Sequence, residues 1–328
     1  MKLVEIKGKI KDKNLYLIID ASPMNKKNYI NILVGSLTYP KTSYLVDSFV
    51  ATEALDHTYA IGIIADSINN LGIERSKFAL LITDAASYFT RATPILYSLF
   101  PKLTHITCLL HLLHNCAMLV RTHYKATDRM IADVQMSLCK STERRTSFCT
   151  LGLPPKVVIT RWGYWLKTAI WYSENFLECK RIVNEYTPDG IIVRKAKESI
   201  NNPEVFREVT EIRANYKVIN DLIDMWTTNR PLINDSVRTL RSLEFPNDMA
   251  RVKDYIGKRL NKNDILRIVN WKNQPVERDP RLISDLLISQ ASSIDVERSF
   301  SILNNLLTNK RNFNDENVRH YMISKYNK

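Results

Sequence analysis

The stretch FALLITDA, residues 78–85, decides the fold class of this chain. It is a continuous apolar run that ends at an aspartate, and a helical pattern follows it at once. A short apolar run without polar alternation is typical of a strand that is buried on both faces. The stretch therefore predicts a central strand in a sheet that is covered by helices.

The preceding and following residues predict the rest of this sheet. Residues 14–50 predict three strands, and the connecting sequences SPMNKK and TYPK suit turns between antiparallel neighbours. Residues 51–73 have helical spacing, THITC (104–108) predicts another strand, and LLHLLHNCAMLV (109–120) predicts a helix. The predicted order of elements indicates an α/β fold with a mixed sheet.

The pattern becomes helical after residue 160. Residues 203–226 place apolar side chains three or four positions apart, and Pro203 suits a first helical position. No strand is predicted from there to the end. We interpret 161–285 as a helical insertion and 286–328 as a helical C-terminal region.

The composition supports a folded protein. Of the 328 residues 45% are hydrophobic, which is enough for a sizeable core, and we expect one compact body or two closely joined ones. The apolar runs are too short or too interrupted to span a membrane. The five cysteines never form CxxC, which fits a reducing compartment.

The charge balance points to a polyanionic partner. The formal net charge is +13, and residues 251–278 are dense in Lys and Arg and contain a tryptophan. Such a mixture suits phosphate contacts and base stacking. The alternative for this segment is a solvated helix face.

Two aspartates lie on predicted strands. Asp20 is in the first strand and Asp84 ends the fourth. If these strands are parallel neighbours, the carboxylates converge and can hold divalent cations for phosphodiester chemistry. Alternatively, Asp84 N-caps the following helix and Asp20 accepts backbone hydrogen bonds in the turn at Ser22-Pro23.

A third carboxylate lies in SIDVERSFSIL, residues 293–303. Glu297 is at the edge of an apolar helical stripe, where a carboxylate needs a cation or a hydrogen-bond donor. Metal ions held by Asp20 and Asp84 could be that cation, and an ion pair with Arg298 or another basic side chain is the alternative. The stripe consists of Val296, Phe300, Leu303 and Leu307.

Three blocks of sequence resemble the transposases of the hAT superfamily. They are LLITDAASYFTRATPILYSLFPKLTHITCLLHLLHNCAMLV, PPKVVITRWGYWLK and SSIDVERSFSILNNLLTNKRNF. The last is the most specific, because it resembles the C-terminal dimerisation region of the family with its Ser-x-x-x-Glu-Arg-x-Phe-Ser pattern. The resemblance implies a ribonuclease-H-like fold with its first part in 1–160, a helical insertion in 161–285 and a completing region in 286–328.

The resemblance also implies an activity. Asp20, Asp84 and Glu297 match the catalytic DDE triad, which binds two Mg²⁺ or Mn²⁺ ions for DNA cleavage and strand transfer. The dimerisation region, here with Phe300, Leu303 and Leu307, implies a homodimer or higher oligomer.

Four further residues match family motifs associated with DNA. Cys108 and His111 match a Cys-x-x-His motif, and Arg161 and Trp162 match an Arg-Trp pair whose tryptophan is associated with a flipped base. A zinc site of Cys108, His111, His114 and Cys116 is a poor alternative, because one helix spreads these side chains over too wide an arc.

The family usually carries an N-terminal BED-type zinc finger, whereas this sequence contains no CxxC. A fragment or a domesticated copy is therefore an alternative to an active enzyme. We expect a nuclear DNA-binding protein that dimerises. The alternatives are a catalytically silent regulator of transcription and, from another class, a helical interaction scaffold without a nucleic-acid role.

Overall fold

The computed structural model describes most of the chain. The described residues are 2–24, 26–51, 54–157, 163–187, 190–246, 250–262, 264–271, 279–308 and 314–328. They form five strands: β1 (Leu15–Met24), β2 (Lys27–Ser36), β3 (Ser43–Ala51), β4 (Phe78–Thr83) and β5 (Thr104–Thr107).

The described helices follow in chain order. They are α1 (Lys2–Ile10), α2 (His57–Leu71), α3 (Ser87–Leu99), α4 (Leu109–His123), α5 (Lys125–Cys139), α6 (Thr142–Thr146), α7 (Tyr164–Glu185), α8 (Ile191–Ile200), α9 (Pro203–Asn229), α10 (Ile233–Arg241), α11 (Ala250–Asn261), α12 (Ile265–Trp271), α13 (Pro280–Leu287), α14 (Ile294–Thr308) and α15 (Asp315–Tyr326). Among the described residues, no helix combines the length and the apolar character that a membrane span requires.

The strands form one mixed sheet in the order β3-β2-β1-β4-β5. The pairs β1–β2 and β2–β3 are antiparallel, whereas β1–β4 and β4–β5 are parallel. Every residue of β4 is buried, as its continuous apolar sequence predicts. The predicted α/β fold with a mixed sheet is therefore confirmed.

The chain divides into two compact units. The first contains Met1–His111, Asn229–Ser242 and Gly257–Lys328, and the second contains Leu112–Thr228 and Leu243–Ile256. These units do not follow the boundaries predicted at residues 160 and 285. Residues 112–160 join the second unit because α5 packs against α7 and α8, which belong to the predicted insertion.

Helix periodicity was a reliable guide in the second unit. The helix α9 begins at Pro203, and its predicted apolar face is buried along its whole length. The C-terminal segment, predicted as one long helical region, contains the separate helices α14 and α15. The only pairing outside the sheet among the described residues is an isolated bridge between Leu232 and Gln290.

The two faces of the sheet pack against different helices. Leu15, Leu17 and Ile19 of β1 lie in a buried cluster with residues of α2 and α3. Since strand side chains alternate, Asp20 points to the other face. That face is where α14 packs on β1 and β2.

Two local features differ from the prediction. The strands β1 and β2 extend into the sequence SPMNKK, with Pro23 paired opposite Asn28, so the connection is shorter than predicted. The sequence does not predict the N-terminal helix α1, because the frequent lysines in this segment obscure its few apolar positions. Its Ile6 and Ile10 are buried and anchor it to the core of the first unit.

Candidate metal centre

Asp20 lies near the carboxyl end of β1 and is 3% exposed. Its Oδ1 accepts a hydrogen bond of 2.8 Å from the Ala21 backbone N–H, and not from the turn at Ser22-Pro23. Burial raises the pKa of Asp20 well above its usual range, and nearby Asp84 and Glu297 raise it further while His111 opposes them. The positive charge near Asp20 is therefore not enough to offset the cost of burying its ionised carboxylate.

Asp84 follows β4, the parallel neighbour of β1. Because Ile18 is paired with Ile82, the two aspartates lie at the same edge of the sheet, as predicted. The Oδ1 of Asp84 accepts a hydrogen bond of 3.0 Å from Ala86 N–H, just before α3. Burial raises the pKa of Asp84 as well.

Glu297 lies in the first turn of α14, and its side chain is 33% exposed. Its Oε1 is 3.8 Å from Nε2 of His111. Burial raises the pKa of Glu297, and Asp84 contributes in the same direction. Arg298, the alternative partner, donates instead to Asp295 at 3.1 Å.

His111 joins these carboxylates from the first turn of α4. One ligand atom from each of Asp20, His111 and Glu297 lies within 4.8 Å of the other two. Burial alone lowers the pKa of His111, but Cys108, Asp20 and Glu297 outweigh it and raise the pKa to about 10. These neighbouring groups, Cys108 first, therefore favour the protonated imidazole of His111.

The buried segment that precedes α14 brings Glu297 to this position. The Leu109 N–H donates to the Ala291 carbonyl at 3.0 Å, and the Ser293 N–H donates to Cys108 Sγ at 3.2 Å. Ser293 Oγ also lies 3.4 Å from Nδ1 of His111. The start of α14 is thus tied to the start of α4, which carries His111.

Asn31 of β2 also holds α14, and it is not among the site residues that the sequence predicts. It is paired with Asp20 across the sheet and donates a hydrogen bond of 2.6 Å to Ser299 Oγ. Both side chains are fully buried. Asn31 is a polar residue within the apolar strand sequence NYINILV, and this is the sequence feature that could have identified it.

The residues predicted to contact DNA have different environments. Cys108 is 1% exposed and accepts the Ser293 hydrogen bond, so its side chain is not placed to touch DNA directly. His111 belongs to the carboxylate cluster. Arg161 and Trp162 lie outside the described residues.

The four-residue zinc alternative is not formed. Within the described part of the chain, Asp20, His111 and Glu297 are the one group of three or more candidate ligands that converge. Cys116 is buried, which raises its pKa to about 12, and His114 Nδ1 accepts a hydrogen bond of 3.3 Å from Gly163 N–H.

The residues predicted for dimerisation face the protein's own core. Phe300 and Leu303 are buried where α14 packs on the sheet, and Leu307 is partly exposed. Their burial therefore needs no second chain, and dimerisation stays a prediction.

Comparisons with known proteins give no further assignment: no family model matches the chain, and no curated protein matches it either.

Proposed function

We propose that this chain is a hAT transposase-derived DNA-binding protein in which Asp20, Asp84 and Glu297 bind Mg²⁺ or Mn²⁺ for DNA cleavage and strand transfer. The observation that carries the proposal is the convergence of Asp20, His111 and Glu297 to within 4.8 Å from three separate parts of the chain. Asp84 is not in this group of three, but it lies at the same sheet edge as Asp20 and raises the pKa values of Asp20 and Glu297. The sheet order is compatible with the ribonuclease-H-like arrangement implied by the sequence resemblance.

The donor set fits a divalent cation. Carboxylate oxygens are the ligands that Mg²⁺ and Mn²⁺ prefer, and the imidazole of His111 could bind Mn²⁺ only after losing its proton to solvent. The pKa values of Asp20, Asp84 and Glu297 are all raised, mainly by burial. A bound cation would relieve this cost of keeping three carboxylates ionised close together.

Asp20 and Glu297 would have different roles in the metal centre. Asp20 is held by the sheet and the Ala21 N–H, so it would supply a fixed oxygen ligand. Glu297 is partly exposed and would supply a ligand on the solvent side, where a DNA phosphate arrives. A bound cation of this kind polarises a phosphoryl oxygen and activates water.

Basic surface supports the DNA-binding part of the proposal. Within the described residues of the first unit, exposed basic side chains occur at the end of α11 and beside and along α12, namely Lys258, Lys262 and Arg267. The formal net charge of +13 acts in the same direction, because phosphate neutralisation releases counterions. A nuclear location and a homodimeric or higher state are further parts of this proposal.

Calorimetric titration with Mn²⁺ tests the metal centre first. We expect the wild type to bind Mn²⁺ and both Asp20→Asn and Asp84→Asn to lose most of this binding. Asp66→Asn is the matched control, because Asp66 is an exposed aspartate of α2. Undiminished binding in Asp20→Asn would exclude the proposed centre. A cleavage assay with Glu297→Gln then tests the reaction.

One observation favours a second candidate, a catalytically silent DNA-binding regulator of transcription. His111 Nε2 lies 3.8 Å from Glu297 Oε1, and Cys108, then Asp20 and Glu297, raise the pKa of His111, which favours a positive charge beside the carboxylates without a metal ion. If neither the wild type nor the variants bind Mn²⁺ while DNA binding persists, this second function is the better one.

A further inference from the structure

A cavity of about 350 Å³ lies in the first unit, outside the metal centre. It is formed by the end of α1, the residues before β1, the end of β2 and the connection from β2 to β3. Its lining residues are Lys9, Ile10, Lys13, Ser36, Tyr39, Thr42 and Tyr44. We name it the Lys13–Tyr39 cavity.

The cavity and the metal centre are at different ends of β1. Tyr16 of β1 donates a hydrogen bond of 2.9 Å to the carbonyl of Thr42, which lines the cavity. Asp20 is four residues further along the strand, roughly 13 Å away at the usual rise per residue. A ligand in the cavity would therefore not touch the carboxylates.

The lining combines ammonium groups with tyrosine rings. The Nζ of Lys13 is 4.7 Å from the Tyr39 ring centroid, and the Nζ of Lys9 is 5.6 Å from that of Tyr44. Lys9 also pairs with Glu5 at 2.7 Å. Among the ion pairs of the described residues Lys13 has no carboxylate partner, so its charge is available to an anion.

Tyr39 is 60% exposed although it belongs to a fixed connection. Its N–H donates to the Ser36 carbonyl, and its own carbonyl accepts from Thr42 N–H, both at 3.0 Å. Beneath it, Tyr16 is fully buried. The backbone of Tyr39 is thus held in place, and because Lys13 lies over one face of the exposed ring, a base would stack on the other face.

Gly35 permits the position of Tyr16. A Cβ at Gly35 would lie 2.1 Å from the Tyr16 ring, so no larger residue fits without moving that ring. The Tyr16 hydroxyl in turn holds the β2–β3 connection through the Thr42 carbonyl. This close packing fixes the backbone of Thr42, which is one of the lining residues.

We propose that the Lys13–Tyr39 cavity binds one nucleotide of a single-stranded nucleic acid. The base would lie against the Tyr39 ring and the phosphate near the Lys13 ammonium group. Stacking on aromatic side chains combined with positive charge is the usual chemistry of single-strand binding. The volume suits one nucleotide, since small-ligand sites begin at about 300 Å³. An acidic peptide would use the lysines but gain little from the exposed ring.

Fluorescence anisotropy with a fluorescein-labelled oligothymidylate, in EDTA, tests this site. Tyr39→Ala should weaken binding about tenfold, whereas Tyr39→Phe should retain it. Lys13→Ala should weaken binding and reduce the slope of the logarithm of the binding constant against the logarithm of the salt concentration by about 1. Lys11→Ala is the matched control, because Lys11 is exposed nearby but does not line the cavity.

Three outcomes would overturn the proposal: unchanged binding in Tyr39→Ala, equal losses in Lys11→Ala and Lys13→Ala, or equally effective competition by oligoglutamate of the same charge. Cross-linking with an iodouracil-containing strand should label Tyr39, and labelling elsewhere alone would also contradict it. The binding assay contains EDTA, whereas the metal centre is tested by Mn²⁺ titration without nucleic acid, so failure of the metal centre and failure of this cavity are distinguishable.

Discussion

The guanidinium group of Arg230 donates two hydrogen bonds to Oδ1 of Asp295, at 3.0 and 2.7 Å. Asp295 is fully buried, two residues before Glu297 in α14. Arg298 donates to the same oxygen at 3.1 Å, and Ser43 donates to Oδ2 at 2.9 Å. This network fixes the first turn of the helix that carries Glu297.

The first prediction concerns this buried network. Arg230→Ala should lower the free energy of unfolding by about 2 kcal/mol, because a buried carboxylate loses its main partner while Arg298 and Ser43 remain. Urea denaturation measures the change. Arg181→Ala is the control: Arg181 pairs with Glu178 and Glu185 on the surface, so its loss should cost less than about 1 kcal/mol. Equal losses in the two variants would contradict the prediction.

The second prediction concerns Asp20 and pH. Burial raises the pKa of Asp20 in the folded protein above its ordinary value of 3.8, so the fold favours the protonated carboxyl. The ionised carboxylate therefore destabilises the metal-free protein, and this cost grows as the pH rises from about 3.8 through the folded pKa.

Asp20→Asn should consequently increase the free energy of unfolding at neutral pH by about 1 kcal/mol in EDTA. The increase should disappear in acid, where Asp20 is protonated in both states. Urea denaturation across the pH range measures it, with Asp66→Asn for comparison. A less stable Asp20→Asn protein at neutral pH would show that the attraction to His111 exceeds the cost of burial.

The third prediction concerns His105, which connects β5 to the end of β4. Thr83 Oγ1 donates to the Asp84 carbonyl at 2.7 Å and is hydrogen-bonded to His105 Nε2, 2.8 Å away. His105 supports the backbone next to Asp84 in this way. Burial lowers the pKa of His105 from 6.5 to about 4.

Since this folded pKa is the lower one, the fold favours neutral His105. Stability should fall as the pH drops from about 6.5 towards 4, by up to about 3 kcal/mol. His105→Gln should lose this part of the pH dependence in urea denaturation. His320→Gln changes an exposed histidine and should keep the wild-type profile. The same profile in both variants would contradict the assignment to His105.

The fourth prediction compares two leucines of α14. Leu303 is fully buried against the sheet, whereas Leu307 is partly exposed. Leu303→Ala should cost about 2 to 5 kcal/mol of stability, and Leu307→Ala less than about 1 kcal/mol. Denaturation at two protein concentrations measures both and separates core packing from dimerisation. If the loss of stability in Leu303→Ala depended on protein concentration, this would indicate that Leu303 lies in a dimer interface.

Sequence patterns were sufficient for much of the fold. The continuous run in 78–85 predicted β4, and the helical spacing in 203–226 predicted the buried face of α9. These patterns succeed because alternation and helical spacing are local consequences of backbone geometry. The same argument placed Asp20 and Asp84 at one sheet edge once β1 and β4 were taken as parallel neighbours.

Only the tertiary structure decided what surrounds these carboxylates. His111 and Glu297 are far apart in the chain, and the buried contacts of Cys108 and Leu109 with residues 291–293 bring them together. The division at residue 111 likewise depends on which helices pack together. The spacing of apolar residues indicates which face of a helix is buried, but it does not identify the element that the face packs against. The sequence by itself determined the strands and long helices such as α9, since these follow from local periodicity, whereas the aspartate pair also required β1 and β4 to be parallel neighbours. The positions of Glu297 and of His111 beside it depend on long-range packing, which has no local signature in the sequence.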